Sequence, residues 1–379
     1  MSSIVHERET NALSDTLPEV MTAAVLYGQE DVRIEQVPVP RAEAGELVVR
    51  VSAALTCGTD LKVFRRGYHA MMIQPPALFG HELAGVVAEV GEGVADFAVG
   101  DRVVPINSAP CGDCYLCGRS QENLCENLLF NNGAYAEYIR IPASIVARNT
   151  LQIPAHISFE HAALTEPLAC ALHGFEDSHP HAGDMVAVIG GGPLGLMILH
   201  VAALAGCEVI AVVKHDAQVA AAEALGAAHV IQTTSTEDVV AAVRALTPDG
   251  RGVDIAIEAV ALAETWEQAV DMVRNGGTVN FFGGPAAGTE VRLDTNRLHY
   301  GDITLKATFH HTPAICRRAF ELITSGKFRA SRFITGHAPL SELNRAFAQM
   351  LDRGNHGNLI KTAILPDSGT ETLSGEALR

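Results

Sequence analysis

Four cysteines lie close together in the order Cys111-x2-Cys114-x2-Cys117-x7-Cys125. Thiolates at this spacing can close a tetrahedral shell around zinc and leave no position open, which is typical of a structural site. The residues between them have little apolar content, so a metal must replace a core there. An iron–sulfur cluster also suits four thiolates, and ligand softness does not decide between the two. We therefore predict a structural metal lobe over residues 108–127.

A second set of candidate ligands is spread along the chain. Cys57 opens the segment Cys-Gly-Thr-Asp, and His81 and Glu82 follow an apolar run. A thiolate, an imidazole and a carboxylate form a three-ligand zinc site with one position left for water or substrate. Taken alone, Cys57 also fits a small residue of the core. His81 and Glu82 also fit a polar pair on the surface. Glu166 lies where a pattern of short β-like runs gives way to alternating strands and helices. Its carboxylate either reaches such a site or caps the following helix.

A glycine-rich turn follows the apolar run Met185–Ile189 and precedes a helical pattern. This context makes the G-x-G-x-x-G pattern typical of a dinucleotide-binding turn, in which the N-terminus of the helix holds the phosphates. The predicted cofactor-binding residues are Gly190, Gly192, Pro193, Leu194 and Gly195.

The next strand ends without the acid that commonly binds the ribose 2′-OH of NAD. Val213, Lys214 and His215 stand there instead, so the sequence favours NADP and makes Lys214 and His215 candidate cofactor-binding residues. Asp216 can restore NAD binding if the turn is displaced by a residue.

Composition bounds the class of protein. The chain has 379 residues, 48% of them hydrophobic, and a formal net charge of −17. This charge argues against nucleic acid and anionic membrane as partners. No apolar run reaches the ~18 residues that span a bilayer. Residues 1–20 show neither a signal core nor a transit pattern, which predicts a cytoplasmic protein with a loose leader.

Two element patterns position the candidate residues. Before about residue 170, short β-like runs alternate with glycine turns, which predicts an all-β domain or partly open barrel. After Asp184, strand and helix patterns alternate, which indicates a parallel sheet wrapped by helices. The last stretch, from about Thr312 to the strand Leu359–Leu365, is expected to fold back onto the first domain.

Taken in order, these motifs resemble the zinc-containing medium-chain dehydrogenases over about residues 22–365. The Glu-Pro-Leu segment at Glu166 is similar to the sorbitol dehydrogenase branch with its polyol and threonine dehydrogenase relatives. The resemblance implies a chaperonin-10-like, β-rich catalytic domain (21–167 with 312–379) and a doubly wound Rossmann dinucleotide-binding domain (168–311). The active site is expected in the cleft between them.

The resemblance also implies residue roles. Cys57 and His81 bind a catalytic zinc, Glu82 binds it directly or exchanges in and out, and Glu166 binds it directly or through a water. Cys170 is a competing ligand. Thr59 starts a proton relay, and Lys361 contacts the cofactor phosphates unless it is simply a solvated lysine. The strand around Ile303–Thr308 is expected to pair across a homodimer or within a homotetramer.

The predicted activity is zinc-dependent oxidation of a secondary alcohol, of polyol or sugar-alcohol type, to a ketone with NAD or NADP and two zinc ions per chain. One alternative is oxidation of an amino alcohol such as threonine. A non-enzymatic alternative is a zinc protein that senses dinucleotides, although such a sensor needs no open metal position. Candidate substrate-pocket residues come from scattered loops: Tyr68, His69, Phe130, Asn131 and His310.

Overall fold

A computed structural model describes residues 17–69, 71–352 and 360–366 of the chain. Most of the leader expected over residues 1–20, and the residue with which the last predicted strand begins, lie outside these described residues. Within the described residues, no helix is both long and apolar enough to cross a membrane.

The N-terminal part is built mainly of antiparallel strands. The main sheet has the order β10-β6-β5-β3-β18-β17, in which β17 (Ile334–Pro339) and β18 (Lys361–Leu365) come from the C-terminal part, and β9 also pairs with β3. The strands are β1 Val20–Gly28, β2 Asp31–Pro38, β3 Leu47–Leu55, β4 Ala77–Leu78, β5 Leu83–Val90, β6 Arg102–Pro105, β7 Ser108–Ala109, β8 Leu129–Phe130, β9 Tyr138–Ile141 and β10 Thr150–Gln152. The helices are α1 Gly58–Arg66, α2 Ala143–Asn149, α3 Phe159–Ala163 and α4 Thr165–Glu176.

The middle part is a six-stranded parallel sheet in the order β13-β12-β11-β14-β15-β16. Its inner strands are rich in buried valine and isoleucine because helices cover both faces. The strands are β11 Met185–Ile189, β12 Glu208–Val213, β13 His229–Gln232, β14 Val253–Glu258, β15 Val273–Phe281 and β16 Thr304–Ala307. The helices are α5 Pro193–Leu204, α6 Asp216–Leu225, α7 Val239–Ala245, α8 Ala263–Met272 and α9 Thr295–Gly301. The strand order reverses at β11, where ligands bind in such sheets.

The C-terminal part returns to the first sheet. It contains α10 Pro313–Thr324, β17 Ile334–Pro339, α11 Leu343–Leu351 and β18 Lys361–Leu365. β18 pairs antiparallel with β3 through Ala363 and Leu55. This pairing supports the domain boundaries given above, which remain a prediction.

One apolar core runs from the β-rich part into the parallel-sheet part. Leu168 and Leu172 of α4 and Ala319 of α10 are buried in it together with Val188 of β11. Helix α4 therefore lies at the junction of the two domains and carries Glu166 near its first turn. The predicted fold class, a GroES-like β-rich domain with a Rossmann domain, is confirmed.

Candidate active site

The four-cysteine lobe projects between β7 and β8, which pair at its base. The Cys125 Sγ lies 3.4 Å from the Cys111 Sγ and 3.9 Å from the Cys114 Sγ, and the Cys111 and Cys117 sulfurs are 4.0 Å apart. A tetrahedron with Zn–S bonds of about 2.3 Å has edges of about 3.8 Å. In a cluster of several irons, different irons bind the thiolates and hold them farther apart. The lobe therefore fits a single zinc ion.

Backbone N–H groups donate hydrogen bonds to the sulfurs of Cys125 and Cys114. The Cys125 Sγ accepts the N–H groups of Cys111 and Asn127 at 3.2 and 3.3 Å. Hydrogen bonds from the N–H groups of Cys117 and Glu126 lower the pKa of Cys114 to about 6. Burial raises the pKa of Cys117 to about 12, so Cys114 is the sulfur whose hydrogen bonds favour the metal-binding thiolate near neutral pH.

A second group of ligand atoms lies at the domain cleft. One potential ligand atom from each of Cys57, His81 and Glu82 lies within 4.8 Å of the others. Cys57 is the N-cap of α1, and its Sγ accepts the Thr59 N–H at 3.4 Å. The positive end of the helix dipole stabilises negative charge at that sulfur. The thiolate, imidazole and carboxylate fit the three-ligand zinc site that the sequence predicts.

Asp60 and Tyr135 hold the His81 ring. The Asp60 carboxylate lies 2.8 Å from the His81 Nδ1 and accepts the Tyr135 hydroxyl at 2.6 Å. Burial opposes protonation of His81, yet Asp60 and Cys57 outweigh it and raise the pKa of His81. With Nδ1 engaged, Nε2 is the nitrogen left for a metal. Gly80 has φ +89°, and a Cβ there would lie 2.5 Å from the Tyr135 ring.

Lys361 is buried against Glu82. Its Nζ donates to the two Glu82 carboxylate oxygens at 2.8 and 2.6 Å and to the Thr56 carbonyl at 2.9 Å. Lys361 is 2% exposed, so the alternative of a solvated lysine is wrong. Burial raises the pKa of Glu82 to about 7, although Lys361 acts in the opposite direction. These contacts tie Lys361 to the metal group, and a contact with cofactor phosphates stays a prediction.

Glu166 belongs to a neighbouring cluster with Cys170, His310 and His311. Its Oε1 lies 3.7 Å from the His311 Nε2 and 3.8 Å from the Cys170 Sγ. Burial opposes ionisation of Glu166, but His311 and His81 outweigh it and lower its pKa to about 2. The carboxylate grouped with Cys57 and His81 is thus Glu82. Direct binding of the catalytic zinc by Glu166 or Cys170 stays a prediction.

His311 is a residue that the sequence did not single out. Burial opposes its protonation, but Cys316 and Glu166 raise its pKa to about 10. Its Nδ1 lies 3.3 Å from the Cys316 Sγ, and its Nε2 lies 3.3 Å from the Asn107 Oδ1. A protonated His311 gives the ionised Glu166 a buried cationic partner. His311 directly follows His310 after a strand, and this doubled histidine is the sequence signal for it.

Among the predicted substrate-pocket residues, the structure brings Phe130 and His310 into contact, and a pocket role for all five stays a prediction. The rings of Phe130 and His310 are 5.2 Å apart, and the His310 Nε2 lies 2.6 Å from the Ser108 Oγ. The Asn131 amide instead donates to the Arg140 carbonyl at 3.0 Å, and Tyr68 is 53% exposed. The His69 Nδ1 accepts two backbone N–H groups of its own loop.

The glycine turn has the geometry of a phosphate-binding turn. Gly190 follows β11 with φ +122°, a conformation that favours glycine. A Cβ on Gly195 would lie 1.9 Å from the Gly190 carbonyl oxygen, whereas a Cβ on Gly192 would meet nothing within 4 Å. Gly192 therefore leaves open space at the N-terminus of α5 for a pyrophosphate. Gly192 and Pro193 line a cavity of about 380 Å³ that also contacts His215.

The described residues that line this cavity include no carboxylate. The acid that commonly binds the ribose 2′-OH of NAD therefore has no replacement among them. Asp216 accepts a hydrogen bond from the Gln232 Nε2 at 2.7 Å and is not among the lining residues. The Lys214 side chain is exposed, and its backbone N–H donates to the Gln218 Oε1 at 2.9 Å. Neither Lys214 nor Asp216 is among the residues that line the cavity, so the cofactor-binding roles of both stay predictions.

A dinucleotide turn, a three-ligand metal group in the adjoining cleft and a closed four-thiolate lobe define a two-domain zinc-dependent dehydrogenase. Residues 43–154 match the alcohol dehydrogenase GroES-like domain, and residues 193–325 match the zinc-binding dehydrogenase domain.

Known proteins resemble the chain over most of its length. Sorbitol dehydrogenase of Bacillus subtilis is 29% identical over 94% of this chain and 100% of its own length. L-threonine 3-dehydrogenase of the same species is 32% identical over 86% of this chain and 94% of its own. A zinc-binding dehydrogenase from Sinorhizobium meliloti 1021, solved with NADP, superposes with a TM-score of 0.84 and 30% identity, covering 92% of this chain and all of its own.

The chain belongs to the zinc-containing medium-chain dehydrogenases, in the branch that holds sorbitol and threonine dehydrogenases. It is an enzyme that oxidises an alcohol with zinc and a nicotinamide cofactor. This membership excludes the alternative of a non-enzymatic dinucleotide sensor.

Proposed function

We propose that the protein oxidises a secondary alcohol of polyol or sugar-alcohol type, prefers NADP, and holds two zinc ions per chain. The observation that carries the proposal is the three-ligand group of Cys57, His81 and Glu82 beside the polar cluster of Glu166 and His311. Such a cluster offers hydrogen-bonding groups to a substrate with more than one hydroxyl.

The protein's own residues account for positioning and proton movement. Bound zinc acidifies a hydroxyl, as it lowers the pKa of water from 15.7 to about 7. Cys57 and His81 would hold that ion, and Asp60 fixes the ring of His81. Thr59, on the first turn of α1, would take the alcohol proton and pass it outward. The nicotinamide, when bound beyond the glycine turn, supplies the hydride acceptor.

An amino alcohol such as threonine is the second candidate, supported by the 32% identity to a threonine dehydrogenase. A substrate ammonium would seek a carboxylate, and Glu166 is ionised in the cluster. Its Oε1, however, lies 3.7 Å from His311, which already supplies a positive charge. An ammonium would therefore have to displace this partner, whereas a neutral hydroxyl would not. This electrostatic difference favours the polyol.

The preference for NADP rests on the cavity chemistry. His215 lines the cavity, and Asp216 is engaged elsewhere. A Lys214→Asp variant would place a negative charge at the end of β12, so we expect the ratio of its kcat/KM values for NADP and NAD to shift towards NAD. An unchanged ratio would remove Lys214 as the residue that reads the ribose.

A homodimer or homotetramer is the proposed assembly. β16 pairs with β15 on one side and is the last strand of its sheet. An edge strand with a free side is a common surface for pairing with a second copy. Light scattering coupled to size exclusion would give the mass of the assembly, and a monomer would contradict the proposal.

A substrate screen tests the proposed activity. Polyols, amino alcohols and simple secondary alcohols would each be offered with NAD and with NADP. We expect the highest kcat/KM for a polyol with NADP. A clear preference for L-threonine would establish the second candidate instead.

A further inference from the structure

The cavity beside the glycine turn has basic groups on both of its walls. His215 lies on the dinucleotide-binding side, after β12, and Arg332 lies on the opposite side in the turn Ala330–Arg332. The other lining residues that the structure describes are uncharged. A cavity with this composition attracts an anion.

Arg332 is free to bind one. In the described part of the chain, no hydrogen bond or ion pair engages its exposed guanidinium. Neighbouring arginines are already committed: the Arg329 Nη1 donates to the Ala224 carbonyl at 2.7 Å, and Arg318 pairs with Glu176. Lys361 is likewise held by Glu82. Arg332 is thus the one cationic residue among the described residues with which the catalytic domain lines this cavity.

The turn that carries Arg332 is fixed against the dinucleotide-binding domain. The His200 Nε2, on α5, accepts the Arg329 N–H at 3.2 Å, and the rings of His200 and Phe328 are 5.3 Å apart. Phe333, directly after Arg332, is fully buried. Contacts on both sides therefore hold the Arg332 backbone at the cavity wall, and only the side chain must be ordered by a ligand.

We propose that Arg332 binds a phosphate group of the dinucleotide cofactor from across the cleft. A guanidinium forms paired, charge-assisted hydrogen bonds with phosphate oxygens. The cofactor offers two such sources, the pyrophosphate and the 2′-phosphate of NADP. The inference rests on cofactor binding at the glycine turn, and its 2′-phosphate form rests on the proposed preference for NADP.

The test measures nucleotide binding by calorimetry, with ADP and 2′,5′-ADP as probes and the full-length protein as it is purified. The variants are Arg332→Gln and, as a matched control, Lys327→Gln, which removes a positive charge from an exposed residue nearby that does not line the cavity. We expect Arg332→Gln to lower the affinity for at least one probe by about tenfold to a hundredfold. Lys327→Gln should stay within about twofold of the parent.

The two probes distinguish the two phosphates. A loss confined to 2′,5′-ADP assigns Arg332 to the 2′-phosphate, and a loss that includes ADP assigns it to the pyrophosphate. An Arg332→Lys variant keeps the positive charge but loses the paired donors of the guanidinium. Its affinity should lie between those of Arg332→Gln and the parent. Binding of both probes by Arg332→Gln within about twofold of the parent, or an equal loss in Lys327→Gln, would overturn the inference. Because no alcohol is turned over, failure of the proposed activity would leave this result interpretable.

Discussion

The Nδ1 of His81 lies 2.8 Å from a carboxylate oxygen of Asp60, and both side chains are buried. A carboxylate behind a ligating histidine orients the ring and raises its basicity, and its loss typically costs about tenfold to a hundredfold in metal affinity. We therefore expect Asp60→Asn to lower the zinc affinity of the cleft site by that factor and to leave the zinc affinity of the lobe unchanged. Competition with a chelator measures both sites.

Tyr135→Phe provides the control for Asp60→Asn. It removes the hydroxyl that donates to Asp60 at 2.6 Å but leaves the contact between Asp60 and His81 in place. Its effect on zinc affinity should be smaller. If Asp60→Asn kept the parent affinity, the assignment of Asp60 as the residue that orients His81 would fail.

Lys361 and Glu82 form a buried ion pair, with 2% and 0% of their side chains exposed. Removing one partner leaves an uncompensated buried charge, which typically costs about 3–5 kcal/mol. We expect Lys361→Met to lower the free energy of unfolding by up to this order in chelator-treated protein well above pH 7, where Glu82 is ionised in the parent, as urea titration would measure. Adding Glu82→Gln should restore most of the loss. A double variant no more stable than Lys361→Met would show that the cost is not electrostatic.

The same pair predicts a pH dependence in the metal-free protein. Glu82 has a pKa of about 7 in the folded state, raised above the ordinary value of 4.5. The folded state then binds more protons than the unfolded state between these values, so this group's contribution to stability falls as pH rises from 4.5 to about 7. The decline should be absent from Glu82→Gln. An identical pH profile in parent and variant would contradict the raised pKa.

The lobe should lose its metal independently of the cleft. Cys117→Ser replaces one of four thiolates that fit a single zinc. We expect the variant to lose one zinc per chain, and protease to cut first within residues 108–127. A Cys207→Ser control, outside both metal groups, should keep the full metal content. Cleavage elsewhere with unchanged zinc would contradict the structural role.

His200 makes the stability of the folded protein depend on pH. Burial lowers its pKa below the ordinary 6.5, and its ring bridges the Leu225 carbonyl and the Arg329 N–H. The unfolded state binds the proton first, so stability should fall as pH drops below about 6.5. His200→Phe should cost about 1–3 kcal/mol near pH 7.5 and flatten this decline. The exposed His337→Gln should keep the parent profile; a decline that persists in His200→Phe would have another source.

Local patterns predict the fold class and the four-cysteine lobe, whereas the cleft group around Cys57 and His81 needed the order of all the motifs along the chain. The predicted alternation of strands and helices follows Asp184, and the glycine turn follows β11 as its spacing predicts. Helix α1 was not predicted because Gly58–Arg66 mixes polar and apolar residues, and Cys57 is not a usual cap.

The pairings inside the site could not be read from local patterns. Tyr135 meets Asp60 across 75 residues, and Lys361 meets Glu82 across 279. The first contact joins helix α1 to the segment before β9, and the second forms once β18 joins β3. Burial then decides the chemistry: it turns Lys361 from a candidate surface residue into the partner of a candidate metal ligand.

We propose that a cleft zinc held by Cys57 supplies the alcohol chemistry and that the lobe zinc does not. The most direct measurement is zinc per chain together with NADP-dependent alcohol oxidation in the parent and in Cys57→Ser. We predict two zinc ions and turnover in the parent, and one zinc without turnover in the variant. Turnover and two zinc ions retained in Cys57→Ser, or one zinc and no turnover in the parent, would contradict the account.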